Sequence, residues 1–557
     1  MMNFRRKALA LVLSLVLVGG AITITGCGGS SSGDPAAKSG LVDTDIKGDV
    51  SIMVWSGDGE YHEDIGHQNL DAKKLTASNV AQIYAVAKKF NETYPNVKIN
   101  VYAKSGDPNQ VGTPSWGQEI ENFKSDYGKY PDIWAADNVT TMIEKGLVAD
   151  LSIYENEDSY KTYNKSLMAN LNYKGMQAGL PSFTIPWGIW INKSLATDNN
   201  IEVPDPDWTI DEFTDFITQA DGKTFWGIKT AVTDGDPVNA AGHSGHGSLD
   251  IVNMGAPTIN RQIKEKGTVD LNTDAVKSLL KYCSKWAASS IDSAEGAGKI
   301  SEDIALENKG YSWTYFCNNR TLVNVEDPWY LTAGADDSAK NSGVYINAKD
   351  WDFYPFPSTD FEKNTIRLVM DPVCLHNYAQ DDGNSQLSKS EKSKLDLAYT
   401  FATYWTGSTE ARQAIYDQEW TENGQKKASA ANDSFPVVTG DAYDAQMEIW
   451  NNLPAHQVYK DKEGFQKVIG YFKDGTSWDY ADKCWPNIIK ENGENKATLY
   501  EWIHCGSEEV AGAWATDKNW VDQVKSKLPD WNEAIGKRIT KAQVQLNDAL
   551  KKYYGKK

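Results

Sequence analysis

Three places in the 557-residue chain set an indole beside carboxylates at a spacing where both can face one ligand. In YPDIWAADNVTTMIEKGLVADL (130–151), Trp134 and Asp137 lie three residues apart, where a short apolar run gives way to a helix-like segment. In FCNNRTLVNVEDPWYL, Glu326, Asp327 and Trp329 follow an apolar run, and Trp55 and Asp58 follow VSIMVW in the same way. A polyhydroxylated ring offers flat C–H faces, which indoles cover, and a rim of hydroxyls, from which carboxylates accept hydrogen bonds. Trp187, Trp116 and Trp485 are further candidates for an extended surface of this kind. Each pair also has a plainer reading. Asp137 suits the N-cap of a helix starting at Val139, any single tryptophan suits a core position, and Glu326 and Asp327 suit solvent. The 20 Trp and 27 Tyr fit either a ring-stacking cleft or a large aromatic core.

Catalysis by two carboxylates on a glycosidic bond uses similar residues, and 76 acidic side chains make any pair easy to propose. The one Gly-x-Ser-x-Gly match, Gly29 to Gly33, lies in a Gly/Ser-rich run with no strand before it or helix after it, and no His-Glu-x-x-His or phosphate-loop pattern occurs. His243 and His246 lie in the Gly-rich stretch Asp234–Asp250, which reads as a solvated loop rather than a metal site. No catalytic residue, metal or cofactor is therefore assigned.

The elements that must position these residues follow from periodicity. VSIMVW reads as a buried strand; residues 79–94 place Val80, Ile83, Tyr84, Ala87 and Phe90 at helical spacing; VKINVYA returns to a strand. Strand, helix, strand in that order is a βαβ unit with a parallel sheet. Residues 132–135 continue it as a strand and 139–145 as a helix stopped by Gly146. Pro181 and Pro186 exclude a helix, and Trp187 to Ile191 reads as a strand. Thr209 and Glu212 form a capping box for the next helix. Thr321 to Val325 is a strand, Leu395 to Trp405 an amphipathic helix, and Ile535 to Tyr553 recurs at helical spacing.

The first residues carry a basic Arg5-Arg6-Lys7 cluster and an apolar run too short to span a bilayer, which takes about 20 residues, so they read as a signal peptide. Ile24-Thr25-Gly26-Cys27 resembles the lipobox of bacterial lipoproteins, which implies lipidation of Cys27. The following GGSSSGDPAAKSG reads as a flexible tether. The expected location is extracytoplasmic, held to the cell membrane by lipid. Residues 1–26 hold three positive and no negative charges, so their removal takes the formal charge from −20 to −23 and argues against a nucleic-acid partner. Beyond Cys27, the cysteines Cys283, Cys317, Cys374, Cys484 and Cys505 form no dense disulfide pattern, and their pairing stays open.

The order of segments resembles the family 1 extracellular solute-binding proteins of carbohydrate ABC transporters, the class that includes maltose-binding protein. YPDIWAADNVTTMIEKGLVADL is similar to the family's Pro-Asp-strand-Trp-x-x-Asp-helix-Gly-Leu segment. GLPSFTIPWGIWINKSL is similar to its hinge, with Ile191 where tyrosine is usual, and FCNNRTLVNVEDPWYL to its x-Gly-x-Trp segment, with Asp327 where glycine is usual. DFYPFP, AYTFATYWTGSTEARQAI and SFPVV follow in the family's order. The resemblance implies an α/β, two-lobed periplasmic-binding-protein-like fold (type II) with three hinge crossings, near Pro181, Asp371 and Phe435, and a ligand cleft between the lobes. It implies a signal peptide at 1–26, a tether at 27–47, lobe 1 at 48–181 and 372–435, and lobe 2 at 182–371 and 436–557. Surplus length relative to the family is expected at 57–78, 234–250 and 461–510. Trp134 and Asp137 match two ligand-contacting positions, and Trp329 matches the stacking tryptophan of the opposite lobe. The expected function is a monomeric, lipid-anchored receptor that captures an oligosaccharide and delivers it to permease subunits. The alternatives are a membrane-tethered glycoside hydrolase and a polysaccharide adhesin.

Overall fold

The computed structural model describes residues 41–57, 59–70, 78–105, 115–135, 139–228, 270, 272–291, 300–301, 303–304, 314–326, 346–418, 420–422, 425–427, 434–473, 477–478, 490–491, 494–495 and 520–556. The leader, Cys27 and the start of the tether lie outside them, as does the stretch 234–250.

The chain opens with β1 (Gly48–Gly57), the two-residue β2 (Tyr61–His62), α1 (Ser78–Asn91), β3 (Val97–Ser105), α2 (Trp116–Tyr127), β4 (Ile133–Ala135) and α3 (Val139–Glu144). β1 runs parallel to both β3 and β4. Its Val50, Ile52, Met53 and Val54 are all buried, as a central parallel strand covered on both faces requires. The α1 stripe Val80, Ile83, Tyr84, Ala87 and Phe90 is buried as its spacing predicts. The Asn91 side-chain amide then donates to the carbonyls of Tyr94 and Val97 and stitches the helix end to β3. Gly128 and Gly146, at φ 72° and 74°, end α2 and the α3 turn. Part of the surplus at 57–78 pairs with the sheet: Tyr61 and His62 of β2 lie antiparallel to Tyr102 and Val101.

The second half of the sheet is built from β5 (Leu180–Ile191), β6 (Trp226–Ile228), β7 (Thr321–Glu326), β8 (Asp352–Tyr354) and β9 (Ile366–Leu375). Among the described residues the path is β2-β3-β1-β4-β9-β5-β7-β6, with β8 paired to the far end of β5. β5 and β9, antiparallel to each other, join the parallel half to the rest. The strand expected at Trp187 to Ile191 thus begins seven residues earlier and runs through Pro181 and Pro186. Pro181 faces Pro372 where the register shifts after Asp371, so the lost N–H falls at an irregularity in the ladder. A third segment docks at the same point. Phe435 N–H donates to Thr184 O at 2.8 Å, and Thr184 donates from its N–H to Ser434 Oγ and from its Oγ1 to Phe435 O. Thr184 is fully buried at this three-way junction.

Helices complete the core. α4 (Ile210–Thr218) starts at the expected capping box, with Thr209 N–H donating to Glu212 Oε2 at 2.7 Å and Glu212 N–H to Thr209 Oγ1 at 3.2 Å; such a cap stabilises a helix by about 1 kcal/mol. α5 (Asp274–Ala288) packs on α4. α6 (Lys389–Gly407), α7 (Thr409–Asp417) and α8 (Gly440–Asn452) follow β9, and Ser408 closes α6 while capping α7 through Ala411 N–H. The terminal helix α9 (Trp520–Tyr554) is longer than its apolar repeat suggested, running through Pro529 and touching both α5 and α3. At its end Tyr553 fills the space a side chain at Gly146 would need, 2.7 Å from the Cβ position. Lys556 Nζ pairs with Asp150 Oδ2 at 2.7 Å. Among the described residues no helix is long and apolar enough to cross a membrane.

Candidate functional site

The crossing segments surround a cavity of about 260 Å³. Val54 and Ala135 reach it from the carboxyl ends of parallel strands β1 and β4, where open α/β sheets bind ligands. Asn79 and Gln82 enter from the first turns of α1, and Gln82 Nε2 donates to Asn79 Oδ1 at 3.2 Å. Each crossing contributes: Ser182 and Phe183 from β5, Asp371 from β9, and Ser434 from the third segment. Ser182 Oγ donates to Asp371 O at 2.8 Å, which locks β5 to β9 at the cavity floor. Trp405 and Thr406 at the end of α6, and Arg412, Ile415 and Tyr416 on α7, form the remaining wall.

Arg412 fixes that wall. Its guanidinium donates from Nε to Gln446 Oε1 at 2.9 Å, from Nη1 to Tyr416 OH and Ser434 O at 2.9 Å, and from Nη2 to Phe435 O at 3.3 Å. Gln446 Nε2 in turn donates to Gly407 O at 2.9 Å. One cation thereby ties α6, α7, α8 and the third crossing together. Arg412 is the one cation and Asp371 the one carboxylate among the described lining residues, so the described lining carries no net formal charge. Its remaining polar groups are amides and hydroxyls, and Phe183, Trp405 and Tyr416 supply aromatic faces. That combination suits a neutral, hydroxyl-rich ligand. Among the described residues no group of three His, Cys, Asp or Glu side chains is placed to hold a metal ion.

The residues nominated from sequence fare differently. Trp134 is fully buried, with Cys374 and Met53 as its strand neighbours. β4 continues one residue past it, and alternation sends Ala135 to the cavity and the Trp134 ring into the core, so its stacking role is corrected to packing. Trp116 is likewise buried, at the start of α2 with the Lys104 ammonium 5.7 Å from its ring; it too is a core residue. Trp190 packs among Phe316, Trp351 and Phe353. Trp55, Trp187 and Glu326 lie on β1, β5 and β7, but their side chains are outside the described set, as are Asp58, Asp137, Asp327, Trp329 and Trp485 entirely. Sequence reasoning missed Asn79, Gln82, Asp371, Trp405 and Tyr416. The available signal was that Asn79 and Gln82 open the helix that follows the first parallel strand.

A larger cavity, about 960 Å³, lies elsewhere, between residues 155–177 and the α9 face bearing Gln543, Leu546 and Asn547. It is lined in part by the short hairpin strands Asn172–Tyr173 and Met176–Gln177, and among the described residues it receives no strand of the main sheet and no crossing segment. Size favours it as the main site and topology favours the smaller one. We weight topology, because only the smaller cavity is walled by the segments that join the two halves of the sheet.

No protein-family model matches the chain, and no curated protein matches it. Solved structures do. A sugar transporter from Rhizobium etli in an open conformation aligns over 87% of this chain and 99% of its own, with TM-score 0.55 and 15% identity. A chitin oligosaccharide binding protein aligns over 87% and 99%, with TM-score 0.52 and 15% identity. A family 1 extracellular solute-binding protein from Bifidobacterium longum subsp. infantis aligns over 89% and 99%, with TM-score 0.51 and 16% identity. The fold is that of the two-lobed solute-binding proteins.

Proposed function

We propose that the protein is an extracytoplasmic receptor that closes its lobes on a carbohydrate, an oligosaccharide, and delivers it to the permease of an ABC importer. The observation that carries this reading is the charge-neutral, aromatic and amide-lined cavity walled by all three crossing segments. Its volume suits one sugar unit at the base of the cleft, below the roughly 300–1,000 Å³ of sites that enclose larger ligands. Further units of the ligand are assigned to Trp55, Asp58, Asp137, Trp187, Glu326, Asp327 and Trp329, the ring and carboxylate pairs of the sequence. The lobes are 48–181 with 372–435, and 182–371 with 436–557. Ligand shifts an open–closed equilibrium by its greater affinity for the closed state. Lipidation at Cys27 keeps the receptor at the membrane beside its permease.

The neighbouring structures are titled as binding and transport proteins, and a hydrolytic site needs two carboxylates facing the bond, whereas one lines this cavity among the described residues. Calorimetric titration with gluco-, xylo-, manno- and galacto-oligosaccharides tests the proposal. Heat from at least one series supports it; silence across the panel, with a peptide or metal ion binding instead, ends it. New reducing ends in the same incubations would replace the receptor by a hydrolase. Trp329→Ala should weaken binding at least tenfold with the melting temperature unchanged.

A further inference from the structure

The terminal helix α9 falls by sequence in the second of the two lobes proposed above, and it packs on α5 there, yet it also reaches α3 of the first. Its 35 residues span about 50 Å. At its end Gly555, at φ 63°, turns the chain back so that Lys556 N–H donates to Leu550 O at 3.1 Å. That turn delivers Lys556 Nζ to Asp150 Oδ2 at 2.7 Å, Gly175 O at 2.9 Å and Ser152 Oγ at 3.4 Å, while the Tyr553 ring covers Gly146. The strip that receives them is itself fixed. Ala149 N–H donates to Leu375 O at 2.8 Å, Asn377 N–H to Leu147 O at 2.8 Å, and Asn377 Nδ2 to Gly146 O at 3.1 Å. Ahead of this clasp, Gln543, Leu546 and Asn547 border the larger cavity, which leaves the helix room to shift.

The clasp lies on one side of the crossings and the proposed cleft on the other. His376, paired with Val148, stands at the amino end of β4, where its N–H donates to Asp132 O at 3.0 Å. The small cavity takes Ala135 from the carboxyl end of the same strand. From Asp371 at the crossing to His376 beside the clasp is about 16 Å of extended chain. Two bodies that pivot at the crossings and approach on the cleft side part on the clasp side.

We propose that α9 is a strap between the lobes, and that its clasp at Tyr553 and Lys556 opposes closure, so that ligand affinity is set in part from the far side of the crossings. Closure draws the strap taut and strains the contacts of Lys556 and Tyr553. Ligand binding has to offset that strain, and a receptor with the clasp undone closes more readily. This regulation rests on the two-lobed receptor reading.

The test compares the whole exported chain with Tyr553→Ser, Lys556→Ser together and with Lys556→Ser alone; Gln545→Ala, at an exposed position of α9, is the control. Whichever neutral oligosaccharide gives heat with the unaltered protein should bind the double variant about threefold more tightly or better, even as its melting temperature falls. Lys556→Ser should move affinity the same way, which decides the matter if the double variant does not fold. Spin labels attached through an unnatural ketone side chain at Glu92 and Asp198, one exposed position in each proposed lobe, read the lobes without ligand. A second inter-label distance should gain population in the double variant. Unchanged or weakened affinity overturns the proposal, as does an unchanged distance distribution or an equal gain in Gln545→Ala. A protein silent toward every oligosaccharide removes the receptor reading, and the label distances then decide the strap alone.

Discussion

The two cavities are built on opposite plans. The one at the crossings draws its wall from β1, α1, β4, β5, β9, α6, α7 and the Ser434 segment, balances one cation with one carboxylate among the described lining residues, and is small. The other is more than three times larger, rests on one local stretch and one helix face, and is basic. The small cavity is enclosed by the segments that connect the two halves of the sheet and senses their relative placement directly, whereas the large one does so only through the docking of α9 on residues 155–177. Where a cavity lies relative to the connections therefore says more about capture than how large it is. The two are also joined: Tyr163, in the floor of the large cavity, has its hydroxyl 2.5 Å from Oγ1 of Thr406, in the wall of the small one.

The strongest way to break this contrast is Arg412→Met. It removes a charged donor from Gln446, Tyr416 and the Ser434 and Phe435 carbonyls together, and should cost on the order of 4 kcal/mol in urea unfolding. An unchanged midpoint would show that the wall at the crossings does not rely on it. Next is acid sensitivity behind the same wall. His456 is buried and stacked on Trp450, which packs on Phe435, and burial holds its imidazole down to about 4 from 6.5. The unfolded chain takes up that proton first, so stability is unaffected above about pH 6.5 and falls as pH drops from there to about 4, by roughly 3 kcal/mol. His456→Phe should flatten the drop in a pH series of urea midpoints.

Trp405→Ala comes third: affinity for the cleft ligand should fall about tenfold, or 1.4 kcal/mol, in calorimetry. The smallest effect belongs to Tyr163→Phe, which deletes the bond across the shared wall. About 1 kcal/mol of stability is expected to go, with both cavities retained. A double-mutant cycle with Thr406→Val, showing no coupling, would separate the two cavities energetically.

Much of the scaffold was legible because its signals are local. The βαβ opening, the Thr209–Glu212 box, the strand at Thr321 and the helix through Leu395 each rest on spacing within a dozen residues. The extension of β5 through two prolines was not, because their tolerance depends on the register against β9 and its irregularity at Pro372. The passage of α9 through Pro529 was missed for a similar reason, since contacts with α5 and α3, distant in sequence, hold the helix. Within the candidate site, the sequence nominated Trp134 on β4, whereas its neighbour Ala135 lines the cavity. Trp134 and Ala135 differ by one position, and only the pairing tells which one faces the cavity. Trp405 and Tyr416 lie on helices that read as ordinary amphipathic segments, and nothing in their spacing distinguishes a ring facing a cleft from one facing the core.

The seat at Gly146 and Asp150 is filled by Tyr553 and Lys556, and Lys556 also approaches Ser152, 404 positions earlier. A polypeptide emerging in order from the ribosome, or threaded through a translocon, offers that seat long before its occupant exists. The early α/β layer thus stays incompletely sealed until residue 556 has been delivered. Contacts of such long sequence separation form slowly, so this seat is among the last parts of the layer to close.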